Sequence, residues 1–204
     1  FYLYQYEFAD PKNYNSLCLV KQKNYIISPE ISLEDIQNVL ENISICEEPD
    51  IAFPQANSMP RIVNLMELLT GRSMTKQDIT SEYAFDERQT NYYTDAGRYL
   101  GFIEKVKNEE GAITFQLSNL GRSVMELEYK ERQLAIVSAI LRHRAFNETL
   151  KINLNSGEMP DANAIVQIMK ESNLYHVEAN STYYRRSSTI IGWLNWILGL
   201  VEES

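Results

Sequence analysis

The sequence predicts a mainly α protein with small β elements, an α+β fold, on three observations. From Ser58 onward, apolar side chains recur every three or four positions, which is the helical period. One Gly-containing turn, Asn108 to Gly111, joins two short β-prone runs. The opening residues, Phe1 to Phe8, carry aromatics mostly on alternate positions, as a strand does.

The elements follow in order. Asp10-Pro11 breaks the opening strand or strand pair, and the apolar run Ser16 to Ile27 predicts a second pair. Ser32 opens a helix: its hydroxyl can cap, Asp35 holds the capping-box position, and Ile36, Val39, Leu40 and Ile43 form one apolar face. Glu47-Glu48-Pro49-Asp50 closes this small mixed N-terminal unit, residues 1–50.

Pro60 marks the next helix start, and Ile62, Leu65, Met66 and Leu69 repeat until Gly71. Thr75 caps a short helix through Tyr83, and Asp86 caps a longer one to Tyr99, punctuated by Gly101. Phe102 to Lys107 and Ala112 to Leu117 make a hairpin, and Ser118 leads a helix through about Lys130. Three helices followed by a two-stranded hairpin is the order of a winged helix-turn-helix, assigned to residues 51–130.

Residues 131–204 are expected to form a second helix-turn-helix-like unit. Its helices run from about Glu131 to Arg144, around Asn147 to Leu154, from an Asp161 cap to about Glu171, and from Ser181 or Thr182 to Leu198. A weak repeat supports the parallel: Arg88 to Glu104 and Arg186 to Glu202, 98 residues apart, share an Arg, a helical apolar face and a Leu-Gly-apolar-apolar-Glu ending.

At 204 residues and 23.6 kDa the chain can bury one large core or two small ones. A composition of 44% hydrophobic and 23% charged residues excludes a disordered tail or a fibre. The richest apolar run, Ile190 to Val201, is too short for a membrane span and is broken by Gly192 and Asn195. The chain opens on Phe1, as a processed or excised piece does, and no leader is visible. Cys18 and Cys46, far apart and without a CxxC grouping, read as buried thiols of a reducing cytoplasm. The net charge of −9 argues against a polyanionic partner, but residues 1–55 carry −6 of it and residues 56–204 only −3.

Catalytic patterns are missing. His143 and His176 are isolated, so a zinc site is not expected, and neither cysteine has a positioned base. Eight glycines form no Walker or dinucleotide pattern. Glu128-Tyr-Lys130 has the spacing of a nuclease Glu-x-Lys element, but it falls on a predicted helix and reads as an exposed helical pair. No catalytic residue, metal ligand or cofactor is therefore assigned to this chain.

Recognition chemistry is present. In Asp86 to Tyr99, Arg88, Asn91, Asp95 and Arg98 form an outward stripe flanked by Gln89 and Thr90, with Tyr92, Ala96, Tyr99 and Leu100 inward. Such a face suits the major groove, where Arg, Gln and Asn meet base edges. The last helix opens with Ser181, Thr182, Arg185, Arg186, Ser188 and Thr189, donors for phosphate or bases, while Ile190, Leu194, Ile197 and Leu198 bury its far half. Trp193 and Trp196 are expected to pack. Arg142, His143 and Arg144 form a further basic cluster or a solvated helix end.

Phe53 to Ser58, Phe85 to Tyr93 with Tyr99 to Gly101, and Ser181 to Thr189 with Trp193 to Ile197 together resemble the DNA-recognition region of type II restriction endonucleases. The resemblance covers residues 50–204. It implies sequence-specific binding of double-stranded DNA through Arg88, Gln89, Asn91, Arg185, Arg186 and Thr189, with cleavage left to a Mg²⁺-dependent nuclease domain elsewhere. The expected partner is duplex DNA, with a homodimer allowed and neither a membrane nor a small-molecule substrate. The charge of −9 motivates one alternative, a winged-helix module that binds proteins and never touches DNA.

Overall fold

A computed structural model describes residues 30–83 and 85–202. The strand pairs expected before residue 28 lie outside the described residues. The described chain runs α1 (Leu33–Asn42), α2 (Met59–Leu68), β1 (Met74–Thr75), α3 (Lys76–Glu82), α4 (Glu87–Tyr99), β2 (Ile103–Lys107), β3 (Ile113–Leu117), α5 (Asn119–Met125), α6 (Tyr129–Leu141), α7 (Arg144–Ser156), α8 (Ala162–Lys170) and α9 (Asn180–Glu202). It is thus mainly helical with one small antiparallel sheet. None of these helices is long and apolar enough to cross a membrane.

Local chemistry sets most of these boundaries. Ser32, Thr75 and Asp86 each accept from the backbone N–H three residues on, and Asp35, Asp78 and Gln89 return the bond, completing three capping boxes. Asp161 caps α8 through the N–H of Ala164. Gly101 and Gly157, at φ of 78° and 76°, take the left-handed turn that ends α4 and α7. One helix expected through Lys130 is broken: α5 stops at Met125 and the chain turns at extended Glu128 before α6. That turn lets α6 lie along α1, where Lys130 meets Asp35 at 2.8 Å and donates to the carbonyl of Glu30.

The sheet has the order β1–β3–β2, antiparallel throughout, with Met74 opposite Phe115 and Ile103 opposite Leu117. β1 is too short to leave a periodic trace in the sequence. The helices α6 to α9 follow with no strand among them. The apparent repeat does not carry through to the fold. Gly101 turns the chain out of α4 toward β2, whereas Gly199 lies inside α9.

One contiguous core spans Ile31 to Leu200, across the positions where sequence boundaries were expected. Its centre is an aromatic stack: Phe53 lies 5.5 Å from Phe146, which lies 4.9 Å from Trp193. The segment Phe53 to Asn57 is pinned against α9. Thr189 donates to the carbonyl of Pro54 at 3.1 Å and the indole N–H of Trp193 to that of Ala56 at 2.7 Å. Any side chain at Gly192 would meet the carbonyl of Asn57 at 2.3 Å.

Two stability outcomes follow. Leu194 is fully buried, so Leu194→Ala should cost about 2–5 kcal/mol in chemical denaturation. The Lys130 ammonium, followed by the N–H of Ser32, holds the Asp35 carboxyl below its ordinary range. A depressed carboxylate adds stability above its unfolded pKa and loses it as pH falls through the folded value. Lys130→Met should therefore cost about 0.5–1 kcal/mol near neutrality. That penalty should vanish in acid unfolding once Asp35 is protonated; a penalty independent of pH would remove the pair from the account.

Candidate functional site

The sequence-expected contacts on α4 divide. Arg88 and Asn91 are exposed, and Gln89 is half-buried as the capping partner of Asp86. Arg98 is half-buried and held by Asp95 at 2.9 Å. Thr90 is a correction: it is fully buried, donating to the carbonyl of Asp86 and lying 2.8 Å from the hydroxyl of Thr80. A threonine that satisfies its hydroxyl locally can face the core, which hydrophobic periodicity alone does not reveal. Tyr93 and Tyr99, not Tyr92, supply the deeply buried rings of this helix.

On α9, Ser181, Arg185 and Ser188 are exposed and Thr182 is half-buried. Arg186 and Thr189 are corrections, because both turn inward; Thr189 is spent on the Pro54 carbonyl. They share one stripe with Ile190, Trp193 and Ile197, the stripe that seats α9 on the core. The cluster at 142–144 also separates: Arg142 is exposed, His143 is buried, and Arg144 pairs with Glu148 at 2.6 Å.

Arg186 is only 6% exposed, and its Nε and Nη1 are sealed from solvent without a hydrogen-bond partner. Burial pulls its pKa down, the neighbouring Arg185 adds to that pull, and Tyr92 opposes it. Tyr92 in turn accepts a 2.5 Å hydrogen bond from Nε of Arg88. Tyr92 thus takes the Arg88 hydrogen bond on α4 and acts electrostatically on Arg186 of α9. A buried guanidinium with idle donors carries a desolvation cost that an oxyanion placed against it would offset.

The structure also assembles a group that sequence spacing could not show. Nδ1 of His143 lies 3.9 Å from Sγ of Cys46 and 3.3 Å from a carboxylate oxygen of Glu48. The Tyr99 hydroxyl donates to the other Glu48 oxygen at 2.5 Å, and its ring stacks on the imidazole at 4.1 Å. Burial alone would lower the His143 pKa, but hydrogen bonds to Cys46 and Glu48, with their charges, outweigh it and raise the value. The His143 hydrogen bond lowers the Cys46 thiol below its ordinary range. Cys46 thus corrects the expectation of a thiol without a base. The partners stand 95 and 97 residues apart, beyond any local motif.

Lys130 is occupied by Asp35 and Glu30, and Glu128 sits exposed at the N-cap of α6 without a side-chain cap bond. Among the described residues no group of three or more His, Cys, Asp or Glu is arranged to hold a metal ion. No curated protein and no solved structure matches the chain. A family model described as a domain of unknown function, DUF7226, matches residues 61–202, from α2 through the end of α9, and the chain belongs to that family.

Proposed function

We propose that this chain binds double-stranded DNA in the cytoplasm, with α4 as the groove-reading helix and the start of α9 as a second contact. The observation that carries the reading is a pair of exposed arginines, Arg88 at the start of α4 and Arg185 at the start of α9, neither paired with a carboxylate among the described residues.

Two features support it. Helix, strand, helix, helix, strand, strand from α2 to β3, with β1 joining the hairpin through β3, is the order of a winged helix, in which the third helix enters the major groove. The packed pair α8 and α9 is the second helix-turn-helix-like unit of this reading. Charge accounting agrees with it. On α4, Glu87 pairs with Lys76 and Asp95 with Arg98, and Asp86 caps the helix. Arg88, Arg185 and Arg186 form no ion pair with a carboxylate among the described residues. The resemblance to type II restriction endonucleases extends the proposal: the chain supplies target recognition, and a Mg²⁺-dependent nuclease domain elsewhere cleaves.

Titrating duplex binding against salt tests this. Two exposed, unpaired arginines predict a log–log slope of about −2. Arg185→Ala should make the slope shallower by about one and weaken random and selected duplexes alike. Arg186→Met, which keeps most of the volume and removes the charge of an inward-facing side chain, should leave the slope unchanged. Arg88→Ala should cost about 1–3 kcal/mol on the selected duplex alone. No salt-sensitive duplex binding overturns the proposal and leaves the protein-binding alternative.

A further inference from the structure

Cys46, Glu48, Tyr99 and His143 are not used by duplex binding, yet they line or back a cleft of about 250 Å³. Its wall is apolar at Pro49, Leu100, Leu120 and Ala139, with Arg142 at the same cleft. The thiol is half-buried and lines the cleft, while the imidazole behind it is buried. We propose that Cys46, set against His143 and Glu48 in this cleft, is an oxidation site for a small hydroperoxide.

The geometry selects this chemistry. One imidazole nitrogen faces both the sulfur and a carboxylate, so a proton leaving the thiol stays on a ring whose charge Glu48 balances. Glu48 is itself fixed by the Tyr99 hydroxyl. Acyl transfer would need a donor for an oxyanion beside the sulfur, but the N–H of Cys46 is already spent on the carbonyl of Arg142 at 2.9 Å. Oxidation has no such requirement. The sulfur attacks the terminal peroxide oxygen, the O–O bond breaks, and an OH group stays on sulfur as sulfenic acid. Sulfur loses two electrons, the peroxide gains them, and the departing alkoxide takes the imidazolium proton and leaves as an alcohol. A cleft of this size admits a hydroperoxide of a few heavy atoms, and Arg142 favours the developing negative charge.

The charged and titratable groups around the sulfur are His143, Glu48, Glu47, Tyr99 and Arg142, from the segment after α1, from α4 and from the end of α6. Tryptic peptides ending at Lys21 and Arg61 separate Cys18 from Cys46. The first measurement is iodoacetamide labelling of the full chain against pH, native and in urea. Native Cys46 should label about tenfold faster than the unfolded chain at pH 7, with its midpoint at lower pH. The second measurement is dimedone trapping after addition of tert-butyl hydroperoxide. Cys46 should be trapped in the native chain, and His143→Gln, shown folded by near-UV circular dichroism, should bring both rates down to the unfolded value. Glu48→Gln should lie between. Native labelling no faster than unfolded, a folded His143→Gln with unchanged rates, or no dimedone adduct at Cys46 would each overturn the proposal.

Discussion

The docking of α9 on the segment Phe53 to Asn57 is the constraint from which the rest of the structure follows. Two backbone carbonyls, of Pro54 and Ala56, would lose hydration on burial, and Thr189 and Trp193 supply their hydrogen bonds. Gly192 lets the two backbones close to a distance that no side chain would permit. With that segment fixed, Phe53 stacks on Phe146 and meets Tyr99 edge-on, tying the long helix to α4 and α7. The same stripe carries Arg186 inward, so its burial is a consequence of how the helix seats.

That consequence bears on the balance of charge. A chain at −9 approaches a polyanion only where its acids are already engaged. On α4 they are, by Lys76, by Arg98 and by a helix cap. Three cations without carboxylate partners, Arg88, Arg185 and Arg186, stand near the starts of α4 and α9. Arg186, surrounded by protein, takes no part in that gathering at the surface; burial and the charge of Arg185 both pull its pKa down.

Much of the fold was legible because its helix ends are written in short-range chemistry. Ser32 with Asp35, Thr75, Asp86, Asp161, Gly101 and Gly157 each act within a few residues, so the sequence displays them directly. Facing was harder to read. Thr90, Arg186 and Thr189 are polar in the alphabet yet lie on buried stripes, because a hydroxyl can bond a carbonyl and an arginine can be carried in by its neighbours. The apparent repeat misled for a related reason. An identical Leu-Gly pair ends one helix and sits within another, since glycine permits the left-handed turn without enforcing it. The thiol cluster left no trace at all: its members come from three separate places in the chain, joined only by folding.

α4 connects the two candidate sites. Tyr92 and Tyr99 stand seven residues apart on this rigid helix, about 10 Å along its axis. At one end the helix start, with Arg88, favours an anion. At the other, the Tyr99 ring stacks against an imidazole whose protonation is favoured, where a helix C-terminus welcomes positive charge. A change at Cys46 that withdrew its partner from His143 would act on the Glu48–Tyr99 bond at the C-terminal end of the helix that begins beside Arg88. The two sites are chemically separate, but they share one mechanical element.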